Sequence, residues 1–136
     1  LLSNHVFLID ERFTRGPSLF PEDAMSTVFS ADDSSWEYAT VLAIPDVDGD
    51  DSNELLIGVP LDDAGGTESG AIYTALGPFV GGIDLADTAV RTTGEAGSRL
   101  GGALHYTLMD EDTAQILVGA PGADMVMGFS LDTLFP

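Results

Sequence analysis

The chain has 136 residues, 44% of them hydrophobic, which suits one domain of ordinary size and is too apolar for a disordered acidic tail. It carries 23 acidic against 4 basic side chains, a formal charge of -19, and every basic residue is arginine. Such a field opposes nucleic acid and anionic membrane surfaces as partners, and the absence of cysteine excludes disulfides and thiolate metal centres.

From the N-terminus, "LLSNHVFLID" lacks the basic region and cleavage site of a signal peptide, and no run approaches the roughly 20 apolar residues of a membrane helix. Short apolar runs separated by Gly, Asp, Pro and Ser dominate, so the fold class is all-β. Strands are predicted near 4–10, 26–30, 39–44, 54–59, 70–76, 88–92, 103–108, 115–119 and 125–131. Loops are predicted at "TRGPSLFPED" and "LDDAGGTESG". The one weak helical pattern, "GGIDLADTAV" (81–90), is short and glycine-rich. "ELLIGVP" and "QILVGAP" read as strands covered on both faces, each stopped by a proline that cannot donate to a ladder. Gly58 and Gly119 would let the backbone turn or approach a neighbour closely.

An internal repeat of about 60 residues runs through these strands. "WEYATVLAIPD" (36–46) aligns with "LGGALHYTLMD" (100–110) at an offset of 64, which falls to 61 at the "GVP" and "GAP" that follow. "GAIYTAL" (70–76) has a looser counterpart in "DMVMGFS" (124–130). Each unit holds some four strands, the architecture of propeller blades built from four-stranded antiparallel sheets. The expected division is 1–38 as the end of a preceding blade and linker, 39–92 as a complete blade, and 93–136 as a partial one. So few units cannot close a ring. The chain is therefore expected to be an incomplete portion of a larger propeller, or to be completed by partners; a compact β-sandwich is the other arrangement that fits.

Between the third and fourth strands stands "DVDGDDSNE". Asp46, Asp48 and Asp50 supply carboxylates at alternate positions, Ser52 can offer its main-chain carbonyl, and Glu54 closes the set. Gly49 permits a sharp bend. Carboxylates gathered this tightly repel one another without a cation, and an irregular all-oxygen donor set favours Ca2+ over zinc, copper or magnesium. An EF-hand would need Gly at the sixth position and Glu at the twelfth, where Asp51 and Ile57 stand. The plainer account is that Asp and Gly make good turns. The second copy, "DEDTAQILVGAP", is three residues shorter and is expected to be a metal-free turn.

"DVDGDDSNELLIGVP", with "WEYA" upstream and "SGAIY" downstream, resembles the FG-GAP repeat of integrin alpha-subunit β-propellers and their bacterial and archaeal relatives. The likeness covers about residues 33 to 130. It implies calcium held by Asp46, Asp48, Asp50, the Ser52 carbonyl and Glu54 on one face of a propeller. Glu54 stands where that family usually has aspartate, and Asp51 where it usually has glycine. The resemblance also implies an extracellular or cell-surface setting, and a role in adhesion, protein recognition or surface structure. Partners would be protein, either the rest of the propeller or other subunits, with no membrane insertion. The alternative is a non-catalytic portion of a secreted enzyme.

No catalytic set emerges. His5 and His105 fall in strands, and "GEAGSRLGG" lacks the lysine and helix of a phosphate loop. Arg91 and Arg99 are expected in ion pairs. Trp36, Tyr38, Tyr73 and Tyr106 are expected to wedge between sheets rather than form a recognition surface, and Phe7, Phe29, Phe79 and Phe129 to lie between sheets.

Overall fold

The structure, a computed structural model, describes the backbone of residues 5–8 and 26–29, and residues 36, 38–85, 89–110 and 113–136 in full. Among the described residues the strands are β1 (His5–Leu8), β2 (Ser26–Phe29), β3 (Thr40–Ile44), β4 (Glu54–Val59), β5 (Ala71–Ala75), β6 (Gly81–Asp84), β7 (Val90–Thr93), β8 (Ala103–Leu108), β9 (Ala114–Ala120) and β10 (Met125–Ser130). A 3-10 turn covers Pro121–Ala123 and a helical turn, α1, covers Leu131–Leu134. The all-β expectation therefore holds.

Three open sheets result, in the orders β1-β2-β6, β3-β4-β5-β7 and β10-β9-β8. All pairings are antiparallel except β2 with β6. The strand β6 was not among the predicted strands; it takes the first four residues of 81–90, and a helical bond follows, the Ala89 amide donating to the Leu85 carbonyl at 3.0 Å. Gly81, Gly82, Ile83 and Asp84 pair with Ser26 to Phe29, more than fifty residues earlier. A partner so distant in sequence, rather than local propensity, makes these glycines a strand.

Two cores separate the sheets. Alternation along β4 sends Leu55, Ile57 and Val59 into the first, with Tyr73, Trp36 and Leu85, and sends Leu56 into the second. The second core joins Ile44, Leu56 and Ile72 to Ile116, Val118 and Ala120 of β9, with Leu100 and Leu134. Each fully buried Leu, Ile or Val contributes roughly 1.5–3 kcal/mol. "ELLIGVP" is buried on both faces, as expected. "QILVGAP" is not: Ile116 and Val118 are buried, but Leu117 and Gly119 are only half-buried. An aliphatic run shows what a strand can bury, whereas the position of its sheet decides which faces are met.

At one point the second and third sheets touch backbone to backbone. A Cβ on Gly58 would stand 2.3 Å from the Gly101 carbonyl oxygen and 2.9 Å from its Cα. The Thr40 hydroxyl donates to that same carbonyl at 2.9 Å. Gly119 differs, because a Cβ there would stand 3.2 Å from the Ala103 methyl and 3.4 Å from its backbone nitrogen, with nothing nearer. Gly70 also bridges to Leu100. Near this contact the edge strands β3 and β8 meet. Towards the other edge a cleft of about 390 Å³ opens, lined by Thr92 and Thr93 of β7 and by Met125, Met127 and Phe129 of β10. The two sheets thus diverge from one edge to the other.

The register refines the repeat. Ile72 and Val126 lie opposite Gly58 and Gly119, 54 residues apart, as the alignment of "GAIYTAL" with "DMVMGFS" has them. Thr40 and Ala103 also lie opposite those glycines, so β3 and β8 are related by 63 residues rather than 64. That single residue sets which side chains of β8 share a face, and Leu104 and Tyr106 pack into the second core.

Candidate metal centre

The acidic loop joins β3 to β4. Pro45 follows β3 without an amide to donate, and the chain then turns on its own aspartates. Asp46 accepts the amides of Gly49 (2.6 Å), Asp50 (3.2 Å) and Asp51 (3.0 Å). Asp48 accepts the Asp50 amide at 3.2 Å, and Asp50 accepts the Ser52 amide at 2.7 Å. Two residues take left-handed backbone, Gly49 at φ 84° and Asp51 at φ 66°. Aspartate is among the non-glycine residues that tolerate this region best, so the Asp51 position is compatible with the turn.

These bonds draw the carboxylates together. Asp46, Asp48, Asp50 and Glu54 each place one oxygen within 4.8 Å of the others. The amide of Asp51, then that of Gly49, holds the Asp46 carboxyl below the usual carboxylate range, so its charged form is favoured. The aspartates are exposed, whereas Glu54 is 1% exposed. One Glu54 oxygen, Oε2, accepts the Val47 amide at 2.6 Å; the other, Oε1, is buried without a hydrogen-bond partner. A buried carboxylate oxygen left bare is costly and uncommon, and three further carboxylates crowd their charge beside it. A hard divalent cation fits both features.

Four of the five expected ligands are thus brought together. Ser52 is half-buried in the same loop and donates its amide to Asp50, but it is not one of the converging carboxylates. Two supports were not read from the sequence. Val47 anchors the loop by packing its side chain on the second core while its amide fixes Glu54. Gly77, after β5, lies so close to the loop's end that a Cβ would stand 2.7 Å from the Asn53 carbonyl oxygen. An apolar residue between two aspartates was the available signal for Val47; nothing local marks Gly77.

In the second copy, the Met109 amide donates to the Thr113 carbonyl at 2.8 Å, closing a short turn; residues 111 and 112 lie outside the described ones. Trp36 and Tyr73 are buried and Tyr106 half-buried between sheets, while Tyr38 is 73% exposed and does not wedge. Its backbone explains this, for φ is 67° in the turn before β3 and the ring is turned off the sheet. Phe79 and Phe129 pack on the two cores; the side chains of His5, Phe7 and Phe29 lie outside the described residues. His105 is exposed on β8, and Arg99 pairs with Glu68. Among the described residues, no helix is long and apolar enough to cross a membrane. No family model, curated protein or solved structure matches this chain.

Proposed function

We propose that residues 46–54 hold a calcium ion, in a stack of propeller blades of the FG-GAP kind that serves extracellular protein recognition, adhesion or surface structure. The observation that carries the metal reading is the buried, unpartnered Oε1 of Glu54 beside three exposed aspartates. Asp46, Asp48, Asp50 and Glu54 would supply carboxylate oxygens and Ser52 its carbonyl. The ion would neutralise their repulsion and tie the loop to the first residue of β4. Support for the blade reading comes from the four-stranded antiparallel sheet, its repeat in β8–β10, and sheets that touch at one edge and part at the other. A site with three exposed ligands suits the weak affinities of extracellular modules, Kd on the order of 10⁻⁴–10⁻³ M.

Titrating the chain with calcium at constant ionic strength tests this. Saturation at about 100 times Kd should stabilise the fold by about 2.7 kcal/mol. Asp48→Ala and Glu54→Gln should each abolish most of that rise in melting temperature, and magnesium should reproduce little of it. Equal calcium responses from wild type and both variants would reduce the loop to a solvated turn.

A further inference from the structure

At the end of β4 away from the acidic loop, a cleft of about 330 Å³ opens between the second and third sheets. Pro60 and Pro121, equivalent residues of the two repeats, line it together with Tyr38, Leu61, Glu68 and Arg99. Three of these six hold left-handed backbone without being glycine: Tyr38 at φ 67°, Glu68 at φ 49° and Arg99 at φ 55°. For Glu68 and Arg99 the local pairing accounts for it, since the Arg99 amide donates to the Glu68 carbonyl at 3.0 Å. For Tyr38 the turn accounts for it, since the Ala39 amide donates to the Trp36 carbonyl at 3.0 Å. A bulky residue at positive φ is still unfavourable, and its ring is 73% exposed, so burial does not reward it.

The charged pair beside it is arranged for sharing. Nε and Nη2 of Arg99 both converge on Oε2 of Glu68, the first at 2.8 Å, which leaves Glu68 Oε1 and Arg99 Nη1 available. The pair is half-exposed and already compensated in charge. An anionic ligand would enter against a chain of net charge -19, and a cationic one would have to stand beside Arg99. A proline-rich peptide calls for a groove lined by several aromatics, and among the described residues Tyr38 is the one aromatic that lines it. We propose that this cleft binds a neutral, hydroxyl-rich ligand of sugar size. The Tyr38 ring would carry its apolar face, Arg99 would donate to its hydroxyls and Glu68 accept from them. The volume falls in the range of small-ligand sites.

Saturation-transfer NMR on the full chain, with methyl glucoside, galactoside, mannoside and N-acetylglucosaminide and a proline-rich octapeptide as probes, decides the matter. A glycoside should receive magnetisation and the peptide should not. Tyr38→Gly relieves the backbone, so its melting temperature should hold or rise while glycoside affinity falls about tenfold or more. Tyr38→Trp should retain binding, and Arg99→Gln should weaken it. Absence of transfer to every glycoside, transfer to the peptide alone, or binding undiminished in both Tyr38→Gly and Arg99→Gln would overturn the proposal. Because the cleft and the acidic loop lie at opposite ends of β4, it can fail while the calcium reading stands.

Discussion

Asp62 is the residue whose placement is hardest to reconcile with an acidic chain crowded with exposed carboxylates. It is 1% exposed, in the loop after β4. The fold accommodates it by surrounding it with donors. Tyr73 gives its hydroxyl to Oδ2 at 2.6 Å and Ala64 its amide to Oδ1 at 2.7 Å, while the Asp62 carbonyl takes the Ser69 hydroxyl and the Gly70 amide, each at 2.9 Å. The loop 61–70 is thereby folded onto β5. Removing one donor leaves a buried acceptor short, which costs about 1–3 kcal/mol. Tyr73→Phe should therefore lower the unfolding free energy, read from urea titration, by that amount, whereas Tyr38→Phe, at an exposed ring, should stay within about 0.5 kcal/mol. Indistinguishable midpoints for the two variants would show that the Asp62 bond adds nothing net.

Between elements, the deciding contact is made by an absence of side chains. Gly58 and Gly119 occupy the same place in the two repeats and read alike in sequence, as the first residue of "GVP" and of "GAP". Their surroundings differ, since a Cβ on Gly58 would overlap the Gly101 carbonyl oxygen at 2.3 Å, whereas one on Gly119 would first meet the Ala103 methyl at 3.2 Å. Backbone cannot step aside as a side chain can. Gly58→Ala should accordingly cost on the order of 1–3 kcal/mol by overpacking, with Gly119→Ala costing less than about 1 kcal/mol. Equal urea midpoints for the two alanine variants would contradict the closeness of the second and third sheets.

The same pair shows where sequence reading succeeds and where it stops. Strands β4, β5 and β9 were legible because continuous aliphatic runs ending in proline or glycine admit few other structures. The acidic loop was legible because its donors alternate within nine residues, so local geometry alone brings them together. Strand β6 was not, because its pairing with β2 spans the chain. Nor was the one-residue difference between β3 and β8, because alignment follows Asp46 and Asp110 while register follows burial. The unpaired oxygen of Glu54 depends on both levels: the carboxylate is local, but its burial comes from β3 on one side and the second core beneath.

At the scale of the molecule, charge opposes what packing builds. With a formal charge of -19, the folded chain concentrates like charges that the unfolded chain would spread apart. Two remedies are available and they act differently. A bound divalent ion acts at one loop and saturates, whereas dissolved salt shortens the Debye length from about 10 Å at 0.1 M to about 3 Å at 1 M and acts everywhere. Raising sodium chloride across that range, in the presence of chelator, should therefore raise the melting temperature of the wild type. Asp48→Ala removes one of 23 acids and the metal site together. Its gain from sodium chloride should fall only slightly below that of the wild type, while its gain from calcium at fixed ionic strength disappears. Were the salt gain to vanish along with the calcium gain, the repulsion would be confined to residues 46–54 rather than spread over the chain. Were neither protein to respond to salt, self-repulsion would not limit this fold at all.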